Sequence, residues 1–358
     1  MLELPENRYP SGAAGESDAA LAAARAGDPH QFSALTEPYR RELQVHCYRI
    51  LGSVLEAEDL VQETMLRAWR RIETYEGRAS LRAWLYKIAT NACLDALDRR
   101  RSRRILPAAK YPAADPRQPP IPPVADPIWL EPLPDELLAS PADEPEARYA
   151  MRESVTLAFV AALQALPPRQ RAVLILRDVL DWESSEVAGF LEVSISAVNS
   201  LLHRARVTLS RHYHGRGRDA VGALPSDASL RELLDRYVRA WEQADVSGLT
   251  ALLKEDATHS MPPSPSWHLG RDAIGAFAAA ALFGAAVFGG AGPGRWRLLS
   301  TRANGQPAFA VYLRGEAGTY HAFAIQVLTL DGVRIAELTS FVNPALFPRF
   351  GLPLDLPA

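Results

Sequence analysis

Apolar residues recur every three or four positions along most of residues 18–212, which is the pattern of amphipathic helices. One stretch, 166–209, predicts two short helices that cross at a tight turn. Ala188 is small where these helices should approach most closely, and Ser194 is a capping residue at the expected start of the second helix. The apolar positions are Val187, Leu191, Val193, Val198 and Leu201. This pattern is typical of a helix-turn-helix.

The second helix of this pair has a polar outer face. Short polar side chains come first and arginines follow, an order that suits reading of base edges and binding of phosphates. The residues are Ser194, Ser196, Asn199, Ser200, His203, Arg204 and Arg206. An ordinary helical hairpin shares the apolar spacing, but an arginine-rich, serine-faced helix favours DNA binding.

Further helices are predicted upstream, between Asp18 and Arg104, after a disordered tail at 1–17. One ends at Gly52. The next, Ala57–Ile72, carries Leu60, Val61, Met65, Leu66 and Trp69 on one apolar stripe. The last, Leu81–Arg104, ends in the basic run DRRRSRR. We expect a compact helical bundle over 18–106 with a strongly basic exit.

Two connecting segments are predicted around the helix-turn-helix domain, which we place at 146–212. Residues 107–145 hold 12 of the 28 prolines, which indicates a semi-rigid linker. Within it, PIWLEPLPDELL is unusually apolar for a free linker, so we expect this piece to pack on a folded domain or to thread between domains. A glycine-containing hinge follows at 213–227.

The remainder, 228–345, predicts an α+β layer with a tail at 346–358. A helix over Leu230–Leu253 precedes strand-like runs that alternate and end at turns such as Asn304-Gly305 and Asp331-Gly332. The runs are Trp296–Arg302, Pro307–Arg314, Tyr320–Thr329 and Val333–Phe341. Helices followed by strands favour an antiparallel sheet covered by helices.

Composition adds limits on location and chemistry. The net charge is −3, but arginines concentrate at 67–104 and 169–211, so basic patches are local. Cys47 and Cys93 lie in apolar helical sequence, which indicates buried free thiols in a reducing compartment. The N-terminus does not resemble a signal peptide, and Ala273–Val287 is too short and too weakly apolar to span a bilayer. We therefore expect a cytoplasmic protein with no membrane partner.

Two blocks of the sequence resemble one protein family. AEDLVQETMLRAW, followed by YEGRASLRAWLYKIATNACLDALDRRRSRR, resembles region two of an extracytoplasmic-function (ECF) sigma factor of bacterial RNA polymerase. ALQALPPRQRAVLILRDVLDWESSEVAGFLEVSISAVNSLLHRARVTL resembles region four of the same family. Their order and separation agree, and they cover about residues 18–212. The proline-rich linker is longer than the family's usual one.

This resemblance implies core RNA polymerase and promoter DNA as partners. The helix Ala57–Ile72 would dock on the polymerase largest subunit through Glu58, Asp59, Gln62, Glu63, Arg67 and Arg70. Unpaired bases of the melted minus-ten element need stacking surfaces and polar groups. The residues that would supply them are Tyr75, Arg78, Ser80, Arg82, Trp84, Lys87, Asn91, Arg99 and Arg100. Trp84 fits a core position equally well. The polar face that begins at Ser194 would read the minus-thirty-five element.

Residues 228–345 fall outside the ordinary sigma pattern. DVSGLTALLKEDATHSMPP, with WHLGRDAI after it, resembles the SnoaL-like polyketide-cyclase fold, a cone that wraps a curved sheet round an apolar cavity. The candidate lining is Met261, Trp267, Phe277, Phe309, Tyr312 and Phe323. Such folds host many roles. We expect this domain to regulate the sigma domains in the same chain.

No enzymatic function, cofactor or metal is expected. The acids and histidines of the last domain show no compelling spacing for proton transfer. These candidates are Asp256, His259, His268, Asp272, His321 and Glu337. A small-molecule ligand and a separate anti-sigma protein are further candidate partners. Two alternatives are a one-component ligand-responsive helix-turn-helix regulator and a SnoaL-like enzyme fused to a DNA-binding domain. The block at 57–104 argues against the former, because a simple repressor has no use for a single-strand platform.

Overall fold

The structure, a computed structural model, describes most of the chain. The described residues are 14–75, 77, 79–100, 103–124, 128–138, 150–213, 227–284, 287 and 292–358. Arg78 and most of the predicted hinge 213–227 therefore lie outside the described residues. So do residues 1–13 of the predicted tail, whereas a helix already begins at Ala14, inside that tail.

Five helices build the first domain, and side-chain caps fix where several of them begin. The helices are α1 Ala14–Arg25, α2 Pro29–Thr36, α3 Arg40–Leu51, α4 Val54–Arg71 and α5 Leu81–Arg99. The hydroxyls of Ser53 and Ser80 accept hydrogen bonds from backbone amides in the first turns of α4 and α5. Gly52 ends α3 with φ +71°, and a Cβ there would lie 2.6 Å from Leu130 of the linker. This position therefore needs glycine both for its conformation and for space.

Two details of this domain differ from the sequence prediction. Helix α5 ends at Arg99 rather than Arg104, because Arg104 and Ile105 form a short strand, β1, parallel to β2 at Ile128–Trp129. Leu66, predicted on the buried stripe of α4, is 51% exposed. Val61 and Met65 are buried as predicted, and Val54, Ala57, Thr64 and Ala68 are buried as well.

Four helices of the helix-turn-helix domain have both ends within the described residues. They are α6 Leu157–Gln164, α7 Pro168–Leu174 with a π-helical turn Ile175–Val179, α8 Ser184–Leu191 and α9 Ile195–Tyr213. A capping box between Glu183 and Glu186 starts α8, and Glu192 at φ +56° ends it. Val187, Ala188 and Val198 are buried as predicted, so the motif is confirmed in the structure.

The last domain has a mixed sheet rather than the predicted antiparallel one. Helices α10 Asp227–Glu242, α11 Val246–Leu252 and α12 Arg271–Phe277 accompany seven strands. The strands are β3 Leu253–Ser260, β4 Trp267–Leu269, β5 Trp296–Ala303, β6 Gln306–Arg314, β7 Tyr320–Asp331, β8 Arg334–Phe341 and β9 Asp355–Leu356. Their order is β4-β3-β8-β7-β6-β5, and β9 pairs with β7. Because β3 runs parallel to β8, the sheet is mixed.

The predicted single helix over Leu230–Leu253 is two helices, separated at Ala244, which has φ +55°. Strands β3 and β4 were not predicted. The four predicted strands and the tight turn at Asn304-Gly305 are present. The tail also belongs to the fold, because Pro344–Phe350 forms a 3-10 helix and β9 joins the sheet.

The two faces of the sheet pack into different cores. Phe309 and Val311 on β6 pack with α10–α12 inside the cone. Their neighbours Ala310 and Tyr312 face the other way and join one continuous apolar core with the two helical domains. Alternation along a strand makes this division possible. The sheet is therefore shared between the cone and the helical domains.

The proline-rich linker is folded between the domains over the part that the structure describes. Glu131 accepts hydrogen bonds from the Ser53 hydroxyl, at 2.7 Å, and from the Leu55 amide. On the other side, the Ala114 amide donates to the Trp267 carbonyl at 2.7 Å. The apolar piece packs on folded domains as predicted, because Leu130, Leu133 and Leu138 lie in the core that the helical domains share with the sheet. Among the described residues, no helix is long and apolar enough to cross a membrane.

Candidate nucleic-acid interface

The outer face of α9 carries the side chains that the sequence predicts to contact DNA. Ser194 caps the helix by accepting a hydrogen bond from the Ala197 amide at 3.1 Å. The other predicted residues of the face are all exposed: Ser196, Asn199, Ser200, His203, Arg204 and Arg206. Asn199 contacts the Ser184 hydroxyl at 3.1 Å, which orients its amide.

Two observations on this face go beyond the sequence prediction. Arg206 forms two bonds to the Asp178 carboxylate, at 2.9 and 2.6 Å, so it braces α9 against the preceding segment. Ile195 was not predicted, yet it is 50% exposed at the start of α9. An apolar side chain at this place can contact a thymine methyl group. The sequence could have indicated this position. Ile195 stands four residues before Asn199, and residues with that spacing lie on the same face of a helix.

Helix α4 presents the predicted docking face, partly occupied by intramolecular ion pairs. Asp59, Gln62 and Arg70 are exposed, and Leu66 lies between them on the same face. The remaining predicted residues are engaged as follows. Glu63 and Arg67 pair at 2.8 Å, and Arg67 also reaches Asp95 at 3.3 Å. Glu58 pairs with Arg349 of the C-terminal tail at 2.6 Å.

The loop before α5 is organised by aromatic packing. Tyr75 is buried, its ring lies 5.2 Å from that of Trp84, and its hydroxyl donates to the Ala79 carbonyl. Arg82 pairs with Glu42 at 2.8 Å and covers the Tyr86 ring. Both side chains therefore have partners within the chain in this conformation, and their role at the minus-ten element stays a prediction.

The rest of the predicted minus-ten surface faces outward or toward the helix-turn-helix domain. Ser80 and Asn91 are exposed, and Trp84 is half-buried. The Lys87 ammonium lies 3.1 Å from the Glu192 carboxylate at the end of α8. At the far end of α5, Arg99 is exposed, whereas Arg100 pairs with Glu56.

The two helical domains are in direct contact. Arg171 of α7 is 3% exposed and donates to the Ile50 carbonyl of α3. The rings of Tyr86 and Trp182 lie 5.7 Å apart across the same boundary. The candidate minus-ten and minus-thirty-five surfaces thus belong to one packed unit.

Asn304, at the tip of the β5–β6 turn, joins all the parts. Its amide nitrogen donates to the Tyr48 hydroxyl at 2.7 Å and to the Val155 carbonyl at 2.6 Å. Its amide oxygen accepts from the Leu133 backbone at 2.9 Å. The residue is fully buried with φ +56°, a conformation that asparagine tolerates well. One side chain therefore connects the first helical domain, the linker and the helix-turn-helix domain to the sheet.

Only some of the residues predicted to line the cone lie inside it. Met261, Phe277 and Phe309 are buried inside the cone, and Phe323 packs against that core. Tyr312 lies on the opposite face of the sheet, where its hydroxyl donates to the Pro353 carbonyl.

Trp267, another predicted lining residue, donates instead to the Tyr111 carbonyl of the linker at 2.8 Å.

The cone interior contains a cluster of buried polar side chains. The sequence did not indicate that these residues lie together. His259 and His268 face each other on β3 and β4, with ring centroids 6.1 Å apart. His259 contacts the Ser340 hydroxyl, which accepts from Gln326 at 2.8 Å. Burial lowers the pKa of His259 to about 3 and that of His268 to about 4. Both imidazoles are therefore neutral near pH 7.

Comparison with known families identifies three matching segments. The family models are Sigma-70 region 2 over residues 35–103, Sigma-70 region 4 over residues 156–209 and the SnoaL-like domain over residues 234–338. These matches agree with the fold class expected from the sequence: two helical domains followed by an α+β cone.

Relatives extend the similarity to most of the chain. It is 47% identical over 333 residues to the ECF RNA polymerase sigma factor SigG of Mycobacterium tuberculosis, covering 93% of this chain and 86% of that protein. The ECF RNA polymerase sigma factor SigJ of the same organism is 29% identical over 223 residues, 62% of each chain. The crystal structure of SigJ from M. tuberculosis matches with a TM-score of 0.56 and 23% identity, over 90% of this chain and 99% of that one. The last similarity concerns the fold alone.

Proposed function

Because this chain belongs to the extracytoplasmic-function (ECF) family of RNA polymerase sigma factors, we propose that its SnoaL-like domain controls when the two promoter-binding regions become available. The chain is a sigma initiation factor, which binds core RNA polymerase and directs it to promoter DNA. Residues 35–103 are called region two below and residues 156–209 region four. A one-component repressor is not favoured.

In this proposal, three surfaces carry the sigma activity. The exposed face of α4 around Leu66 binds the polymerase, and the outer face of α9 reads the minus-thirty-five element. Ser80, Trp84, Lys87 and Asn91 meet the melted minus-ten strand. Their exposure, or half-exposure for Trp84 and Lys87, supports these assignments. A small-molecule ligand and an anti-sigma protein stay predictions.

The distance between the promoter elements supports the need for a conformational change. Elements centred about 25 base pairs apart lie about 85 Å apart along B-DNA, at 3.4 Å per base pair. In the structure, Lys87 of region two lies 3.1 Å from Glu192 beside the recognition helix. The two regions cannot occupy both elements while they are packed together. The structure is therefore a closed arrangement, and promoter binding requires it to open.

The observation that carries regulation in the same chain is the position of Asn304. Its side chain bonds to Tyr48 in region two, to Val155 beside region four and to Leu133 in the linker. The Arg349–Glu58 pair places the tail against the polymerase-binding helix as well. The SnoaL-like domain thus stabilises the closed arrangement and covers part of the docking face.

Run-off transcription with core polymerase tests the proposal. A chain ending at Arg218 lacks the SnoaL-like domain and should give more transcript than the full chain at equal concentration. Size-exclusion chromatography must show that the shortened chain is monomeric, since truncation exposes apolar surface. Equal transcript from the two chains would refute control by the SnoaL-like domain while leaving the sigma activity itself intact.

A further inference from the structure

A cavity lies at the junction between regions two and four, and arginines dominate its wall. Its volume is about 210 Å³, which is room for several water molecules. The lining residues are Leu97, Arg100, Arg103, Arg104, Gln164, Leu166, Pro167, Pro168 and Arg171. Three of the four arginines follow α5 of region two and the fourth belongs to α7 of region four. Both regions therefore contribute to the wall.

The positive charge of this wall is not balanced within the part of the chain that the structure describes. Glu56 pairs with Arg100 and with Arg104, the latter at 2.9 Å. Glu131 lies 3.6 Å from Arg104. These two carboxylates are the described ion-pair partners of the four guanidinium groups. About two positive charges remain for an external anion.

Arg171 is the least compensated of the four. It is 3% exposed, and its described partners are neutral: the carbonyls of Ile50, Gln164 and Leu166 and the Gln164 side chain. Burial and the nearby Arg103 and Arg100 lower its pKa to about 9, which still leaves it charged at pH 7. A buried cation without a counter-ion is unfavourable, so an anion here would stabilise the site.

Arg103 supplies unused hydrogen-bond donors at the rim of the cavity. The Nε atoms of Arg171 and Arg104 are buried away from the open space of the cavity, so these two arginines act on a bound anion through their charge. Arg103 is exposed at the rim and makes no hydrogen bond or ion pair with another described residue. Guanidinium groups bind phosphate oxygens through charge-assisted hydrogen bonds.

We propose that this junction cavity binds a small phosphate-bearing anion of the diphosphate class, held jointly by Arg171 of region four and the arginines after α5 of region two. Because both regions form the wall, a bound anion bridges them and favours their packed arrangement. The site is distinct from the SnoaL-like cone. It does not depend on whether that domain regulates transcription.

Isothermal titration calorimetry of the full-length protein with inorganic pyrophosphate, without polymerase, tests the proposal. We expect saturable binding, and a rise in Tm that exceeds the effect of sodium chloride at the same ionic strength. Arg103→Gln should weaken binding about tenfold, because one charged hydrogen-bonding group is lost. Arg103 has no packing role in the described structure, so the Tm of the variant in chloride should equal that of the wild type.

Arg71→Gln is the matched control. Arg71 is also an exposed arginine of region two, but it lies at the other end of α4 from Glu56, about 22 Å away along the helix. This variant should bind pyrophosphate as the wild type does. Equal weakening in both variants, or no weakening in Arg103→Gln, would overturn the proposal.

A competition arm separates small anions from nucleic-acid phosphates. Duplex DNA of non-promoter sequence should leave pyrophosphate binding unchanged at equal phosphate concentration, since the cavity is too small for a duplex. Complete displacement by the duplex would assign these arginines to the DNA backbone and would also overturn the proposal.

Discussion

The change Asn304→Gly should loosen the closed arrangement. Glycine adopts φ +56° without strain, so the tight β5–β6 turn is kept while the side-chain amide is lost. Tyr48 still donates to the Glu131 carbonyl, but the Val155 carbonyl and the Leu133 amide lose their partner.

The magnitude follows from those two buried groups. Each buried polar group left unpaired costs about 1–3 kcal/mol, so the packed arrangement should be destabilised by about 2–6 kcal/mol. At 1.4 kcal/mol per factor of ten, the lower limit already shifts the equilibrium between closed and open forms about thirtyfold. Even a minor open population would then become easy to detect.

Two assays check this prediction. Hydrogen–deuterium exchange in the peptide 128–138 should become at least tenfold faster, because the Leu133 amide is bonded to Asn304 in the closed form. In run-off transcription, the variant should give more transcript than the wild type at equal protein concentration.

The control is Asp331→Asn, at the other tight turn of the same sheet, where only a partly exposed ion pair with Lys254 is lost. That variant should leave both measurements unchanged. If Asn304→Gly has the same exchange rates and transcript levels as the wild type, the Asn304 side chain does not hold the domains together.

Four further outcomes are expected. Arg204→Ala should weaken holoenzyme binding to a minus-thirty-five element about tenfold in gel-shift assays, because an exposed guanidinium of the recognition face is lost. Asn91→Ala should reduce permanganate reactivity of the melted strand without changing holoenzyme assembly. Leu66→Ser should weaken core polymerase binding in pull-down assays, whereas the equally exposed Leu269→Ser on the SnoaL-like domain should not. The pKa of His46 falls from 6.5 to about 3 through burial, so its stabilisation is complete above pH 6.5 and declines by about 1.4 kcal/mol per unit below it. Urea unfolding at pH 7.5 and 5.5 should show a loss in the wild type that is about 1.4 kcal/mol larger than the loss in His46→Gln, because His259 and His268 still contribute their own loss in the variant.

Much of the fold was predictable because it rests on local patterns. The helical spacing around Val187 and Val198 identified the helix-turn-helix, and alternation identified β5 through β8 nearly to their ends. Strand β3 was not predicted, because it follows α11 directly and its sequence LKEDATHS shows little alternation of apolar and polar residues. Its parallel partner β8 lies about 80 residues away in sequence, as in the pair Thr258 and Glu337, so no local signal marked the pairing.

The candidate interface divides in the same way. The sequence placed Ser196, Asn199 and Arg204 on an exposed face, because helical spacing fixes which side faces the core. It did not indicate that Arg82 is held by Glu42 or Arg206 by Asp178, since those partners stand 40 and 28 residues away. Residue type alone does not distinguish a guanidinium that binds DNA from one that braces the fold.

The sequence by itself determined most of the local elements: the helices of the two helical domains, strands β5 to β8 and the exposed face of α9. Periodicity and capping depend on residues that are close in sequence, so both can be recognised from the sequence alone. Only the tertiary structure decided that Asn304 enters between the two sigma regions, that Leu66 faces outward and that four arginines meet around one cavity. Each of these depends on surfaces brought together from distant parts of the chain, and their fit is set by packing and burial rather than by local spacing.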